Sequence, residues 1–93
     1  MGDAVLDVEG RLISLNDKPL SECTLGLHMA SNNDLVEKIR IKPMFQDYFV
    51  VAPKKESYYV DAECKGGRTG RSETFVFDPP SNVPAKILYI SIK

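Results

Sequence analysis

Tryptophan is absent from this 93-residue chain, histidine occurs once and cysteine twice. The single histidine, His28, excludes any catalytic or metal arrangement that needs two imidazoles from one chain. Two cysteines, Cys23 and Cys64, are too few for a tetrahedral zinc site unless other ligands join them, so no metal and no cofactor is expected. No apolar run approaches the ~18–20 residues that span a bilayer. The opening Met1-Gly2-Asp3 carries neither the basic nor the hydrophobic region of a signal peptide. Charge of one sign is lacking too: 12 basic and 13 acidic residues give a net charge of −1, which argues against a general nucleic-acid binder. The six acids and two bases of residues 1–34, against seven acids and ten bases in 35–93, read as two solvated surfaces. There is no internal repeat and no low-complexity tract.

What is present is ordinary globular material, 43% hydrophobic and 27% charged. Its length fits one domain, 1–93, with no room for a second core. The dominant periodicity is two, and turn residues recur at short intervals. Ala4, Leu6 and Val8 alternate with Val5 and Asp7 until Glu9-Gly10. Arg11–Leu15 reads as a second strand, stopped by Asn16-Asp17 and Lys18-Pro19. Cys23, Leu25, Leu27 and Met29 alternate cleanly with Thr24, Gly26 and His28, ahead of the turn-forming Ser31-Asn32-Asn33-Asp34. Leu35–Ile41 has an Asp34 cap for a short helix. Leu35, Ile39 and Ile41 nevertheless share strand parity and Pro43 limits any helix, so a strand is expected. Tyr48–Val51, Tyr58–Cys64, Thr74–Phe77 (closed by Asp78-Pro79-Pro80) and a last strand with Leu88, Ile90 and Ile92 on one face complete eight candidates. The fold class implied is an all-β, antiparallel β-sandwich of about seven to eight strands. Its core is expected to draw on Leu6, Val8, Leu25, Leu27, Phe49, Val60, Phe75, Phe77, Leu88 and Ile90.

Cys23 shares parity with Leu25 and Leu27, and Cys64 with Val60 and Ala62, so both sulfurs are expected in one core. Two states fit, a disulfide or a pair of reduced core thiols. A disulfide is favoured, and with it a periplasmic or extracellular setting.

The stretch Gly10-Arg11-Leu12-Ile13-Ser14-Leu15-Asn16-Asp17-Lys18-Pro19-Leu20, followed by Cys23-Thr24-Leu25-Gly26-Leu27, resembles the opening of transthyretin-like domains, the group that includes the carboxypeptidase regulatory-like domain. There a strand leads through a polar turn and a Pro-Leu or Pro-Val step to an alternating strand. The middle, Phe45 through Phe49-Val50-Val51-Ala52-Pro53 to Tyr58-Tyr59-Val60, is similar to their second half, although Pro43-Met44-Phe45-Gln46-Asp47 stands where the family often has a glycine. An immunoglobulin-like sandwich competes, with Cys23 and Cys64 as its inter-sheet pair, but neither its tryptophan nor a Tyr-x-Cys before Cys64 is present. Enzymes of the transthyretin fold fit poorly. Hydroxyisourate hydrolases use more than one histidine and a C-terminal tetrapeptide unlike Ile90-Ser91-Ile92-Lys93. Intradiol dioxygenases, also sandwich-based, hold iron with two tyrosines and two histidines.

No enzyme is therefore expected. His28 has the parity of a solvent-facing residue, so His28→Ala is expected to change stability by no more than ~0.5 kcal/mol. Asp61 and Glu63 share a face, but two carboxylates do not close a calcium site. The binding candidates are Tyr59, whose parity opposes Val60 and Cys64, and Lys65, Arg68 and Arg71 of the basic, glycine-rich Lys65–Arg71 loop, which suits an anion. The function expected is a non-catalytic module that binds another protein or a fused domain. The alternative is a small-ligand or carbohydrate-binding domain using Tyr59 and that loop.

Overall fold

The computed structural model describes residues 3–79 and 84–93, so Met1 and Gly2 and the Pro80 end of the expected turn lie outside the described residues. Eight strands follow one another: β1 (Ala4–Ser14), β2 (Cys23–Met29), β3 (Leu35–Ile41), β4 (Met44–Val51), β5 (Glu56–Cys64), β6 (Arg68–Arg71), β7 (Phe75–Phe77) and β8 (Lys86–Ile92). They form two sheets, β4-β1-β8 and β3-β2-β5-β6, with β7 also paired to β5. The chain is an all-β sandwich, as its periodicity implies.

The two N-terminal runs form one strand. β1 is the centre of the three-stranded sheet, antiparallel to β4 over Ala4–Arg11 and parallel to β8 over Val8–Ser14. Gly10 lies where both partners are engaged. It has φ +153°, and a Cβ there would run into the Leu88 carbonyl, so the glycine that reads as a strand end is what lets β8 close on β1. Leu6, Val8 and Leu12 point inward, whereas Val5, Asp7, Arg11 and Ile13 point to solvent, the alternation of a sheet with one buried face.

Three other expectations need correction. The open Lys65–Arg71 loop is instead a tight turn at Lys65-Gly66-Gly67, both glycines at positive φ, followed by the strand β6. The strand expected to begin at Tyr48 begins at Met44, directly after Pro43. β3 is a strand as expected, but Leu35 is exposed rather than inward. A register shift between Leu27 and His28 sets Leu35 opposite His28, so the parity counted back from Ile39 fails there.

All ten residues expected in the core are buried, joined by Leu12, Phe45, Val51, Tyr58, Ala62 and Ile92. Cys23 and Cys64 form a disulfide with their Cα atoms 4.1 Å apart. The bond does not bridge the sheets. β2 and β5 are hydrogen-bonded neighbours, and the register Thr24↔Glu63 puts the cysteines opposite each other one step further along. The two sulfurs face one core because the strands are side by side.

Candidate functional site

The outer faces of the two sheets differ in kind. On the β3-β2-β5-β6 sheet, the antiparallel register brings His28 beside Tyr59 and Gly26 beside Asp61, and carries Arg71 to the other side of Asp61. His28 and Tyr59 stack with ring centroids 4.9 Å apart and planes 7° off parallel. The Arg71 guanidinium lies over the Tyr59 ring at 4.5 Å from its centre. Because β2 and β6 flank β5 on opposite sides, imidazole, phenol and guanidinium stand side by side across the sheet.

Hydrogen bonds hold this row in place. His28 Nε2 is 2.9 Å from Asp61 Oδ2, and Nδ1 is 3.2 Å from the Asn33 carbonyl oxygen. Tyr59 donates its hydroxyl to Asn33 Oδ1 at 3.1 Å. Asn33 reaches both because it sits in the β2–β3 turn at φ 63°, a conformation asparagine tolerates better than most residues. Gly26 supplies the space, since a Cβ there would stand 2.6 Å from Asp61 Oδ1 and 3.3 Å from His28 Nε2. Both ring nitrogens thus face oxygen acceptors. Neither nitrogen is left for a substrate or a metal ion.

The exposed, replaceable His28 expected from parity is therefore corrected. The parity is right, but the side chain retains only 16% of its exposure and holds a carboxylate and an aromatic ring. His28→Ala is now expected to destabilise the fold by about 1–2 kcal/mol, the range for a lost bond to a charged partner together with its stacking. Asp61→Asn is expected to cost less, and the double variant less than the sum of the two. Denaturant unfolding of the four proteins checks this, and additive losses would show that the pair is not coupled.

Of the four residues singled out for binding, Tyr59 and Arg71 come together, while Lys65 and Arg68 lie elsewhere. Tyr59 is 7% exposed beneath His28 and Arg71, so it offers no free ring. Lys65 reaches Glu22 across exposed surface at 3.7 Å. Arg68 lies at the opposite side of β6 from Arg71, where it donates to Ser14 Oγ, Asn16 Oδ1 and the carbonyls of Lys18 and Lys93 at 2.7–3.2 Å. Its guanidinium fastens the β1–β2 connection to the last residue of the chain. Tyr58 faces the core, where burial and then the nearby Glu56 carboxylate raise its hydroxyl above the ordinary value.

The outer face of β4-β1-β8 is open. Its outward residues come into rows across the three strands: Val50–Val5, Tyr48–Asp7, Gln46–Glu9–Ile87, Met44–Arg11–Tyr89 and Ile13–Ser91. Met44 is 74% exposed and Tyr89 67%, and Val5, Ile13, Tyr48, Val50 and Ile87 are exposed as well. These seven side chains, interleaved with Asp7, Glu9, Gln46 and Arg11, leave an extended and largely apolar surface in water. This face was legible in the sequence as the odd positions of β1 and β8 and the even positions of β4. The core-facing positions of the same strands are more apolar, and they draw the eye first.

Among the described residues no group of three or more His, Cys, Asp or Glu side chains comes together that could hold a metal ion, and no helix is long and apolar enough to cross a membrane. No family model, curated protein or solved structure matches the chain.

Proposed function

We propose that this chain is a non-catalytic β-sandwich module that binds or spaces other protein parts, with the outer face of β4-β1-β8 as its contact surface. The observation that carries the reading is the contrast between the faces. One is largely filled by its own stacked and hydrogen-bonded side chains, with Leu35 exposed on its edge strand β3, and the other leaves seven large apolar side chains in water. Hydrophobic area of that extent, interleaved with charged residues, is the usual mark of a protein-binding surface. The engagement of both His28 nitrogens supports the absence of catalysis.

A small ligand fits this face less well. The depression between Glu9, Arg11, Met44 and Tyr89 measures about 410 Å³ but lies open on the sheet. Ligand sites ordinarily bury some 70–90% of their occupant. A place among transthyretin-like domains is supported by the succession of β1, the polar Asn16-Asp17 turn, the Pro19-Leu20 step and the alternating β2. It is further supported by β4, a short turn and a β5 that carries Tyr58-Tyr59. The immunoglobulin-like alternative is weakened because its disulfide joins two sheets and this one joins neighbours in one sheet. The bond also favours an extracytoplasmic setting, since cytosolic thiols are kept reduced. The test is whether Met44 and Tyr89 are shielded from solvent in the cells that make the protein.

A further inference from the structure

We propose that the occupant of the open β4-β1-β8 face is a second copy of this chain, packed face to face about a two-fold axis that crosses β1 at Gly10. The inference rests on the reading of that face as the contact surface and adds the identity of the partner. Its basis is the order of charges along β1. Glu9 and Arg11 are successive outward residues, one on each side of Gly10, and they lie in adjacent rows at the centre of the face.

Two identical sheets stacked on each other, ~10 Å apart with strands roughly aligned, have two simple two-fold arrangements. An axis running along β1 sets each residue of β1 over its own copy, so that Glu9 meets Glu9 and Arg11 meets Arg11. That arrangement sets like charges against each other, which disfavours it. An axis perpendicular to β1 and over Gly10 exchanges the two central rows. Glu9 then meets Arg11 of the second copy, and Arg11 meets its Glu9. On β8 the same operation sets Ile87 against Tyr89, and on β4 it sets Gln46 against Met44. Two ion pairs thus stand over the middle of the patch with two apolar contacts on the β8 side. Charge alone selects the second arrangement.

The size of the face is consistent with a weak dimer. Twelve outward side chains on the three strands, seven of them large and apolar, give a face comparable to the ~800 Å² per partner of a standard interface. Reversible association is expected, with the open face accessible again on dilution.

The reciprocal pairing has a specific test. Sedimentation equilibrium of the full chain is measured for the unaltered protein, Glu9→Arg, Arg11→Glu, the doubly exchanged E9R/R11E, and an equimolar mixture of the two single variants. Arg11 is exposed and Glu9 half-buried on the outer face, and an unchanged β-type circular dichroism spectrum confirms that each variant is folded. The unaltered chain is expected to dimerise, and each single variant alone to associate at least about tenfold more weakly. The double exchange is expected to restore the dimer. The mixture is expected to form a heterodimer, because two arginines on one chain then meet two glutamates on the other. A chain that stays monomeric at all concentrations overturns the inference, as do single variants that dimerise unchanged or a mixture that stays monomeric. If the chain is monomeric but Met44 and Tyr89 are still shielded in the cells that make it, self-pairing falls and the contact face stands. If they are also unshielded there, both fall.

Discussion

Replacing both cysteines, Cys23→Ala with Cys64→Ala, is expected to lower the unfolding free energy by about 4 kcal/mol, the chain-entropy value for a loop of this length. The bond closes a separation of 41 residues, so the unfolded chain without it gains a large set of conformations. The native cost of the change is small by comparison. Both sulfurs are buried between strands already paired by their backbones, so losing them leaves a small gap and no unpaired polar group. For a domain of this size, whose total stability is expected within ~5–15 kcal/mol, that is a large fraction. A fall in melting temperature on the order of 15–30 °C should accompany it. Denaturant unfolding of the oxidised protein, the reduced protein and the double-alanine variant separates the causes. The reduced and alanine forms should agree. A difference between oxidised and reduced protein below about 1 kcal/mol would mean that the ladder between β2 and β5 already restrains the chain as much as the bond does.

Gly10→Ala is expected to be more damaging still, with a loss above about 4 kcal/mol or no folded protein at ordinary temperature. Two effects add at this position. The backbone holds φ +153°, which side-chain-bearing residues rarely adopt, and the new methyl group would occupy the place of the Leu88 carbonyl. Relief requires β8 to move away from β1, which breaks the parallel pairing and opens the core around Leu88 and Ile90. Gly67→Ala is the control. It also has positive φ, at 72°, but nothing lies within 4 Å of the added carbon, so its cost should stay near the ~1–2 kcal/mol of the backbone conformation alone. If thermal unfolding finds the two variants equally stable, the close approach of β8 does not determine the fold at Gly10.

Alternation made the sandwich legible before any pairing was known. Each core strand carries its apolar residues at every second place, and Gly, Pro and Asn mark the turns, so strand type and inward residues follow from local pattern. What the pattern lacks is which strands lie side by side. The role of Gly10 depends on β8, nearly eighty residues later, and so it read as a strand end. Leu35 shares the parity of Ile39 and Ile41 but lies beyond a register shift between Leu27 and His28, and it faces outward. The His28–Asp61–Tyr59 cluster was hidden for the same reason. Each member has the parity of a surface residue, and only the β2–β5 register turns three separate polar side chains into one closed row. Arg68 reads as a loop cation because Ser14, Asn16 and Lys93, which it binds, are distant in sequence. Long-range pairing also covers Tyr59, which parity alone leaves open, with His28 and Arg71. Tyr89 and Tyr48, 67% and 52% exposed, face solvent by parity opposite Leu88 and Phe49; what the local pattern lacks is that pairing through β1 gathers them on one face.

The difference between a filled face and an open one is tested most directly by hydroxyl-radical footprinting read by mass spectrometry. Met44, Tyr48 and Tyr89 are compared in the dilute isolated chain and in the cells that produce it, with Leu35 and Val76, exposed elsewhere on the molecule, as internal references. In the dilute chain the three should oxidise readily while Tyr59 resists. In its own setting, Met44, Tyr48 and Tyr89 should be protected together, and Leu35 and Val76 should react as before. Equal oxidation of the three residues in both samples would contradict the assignment of the β4-β1-β8 face as the surface through which this protein works.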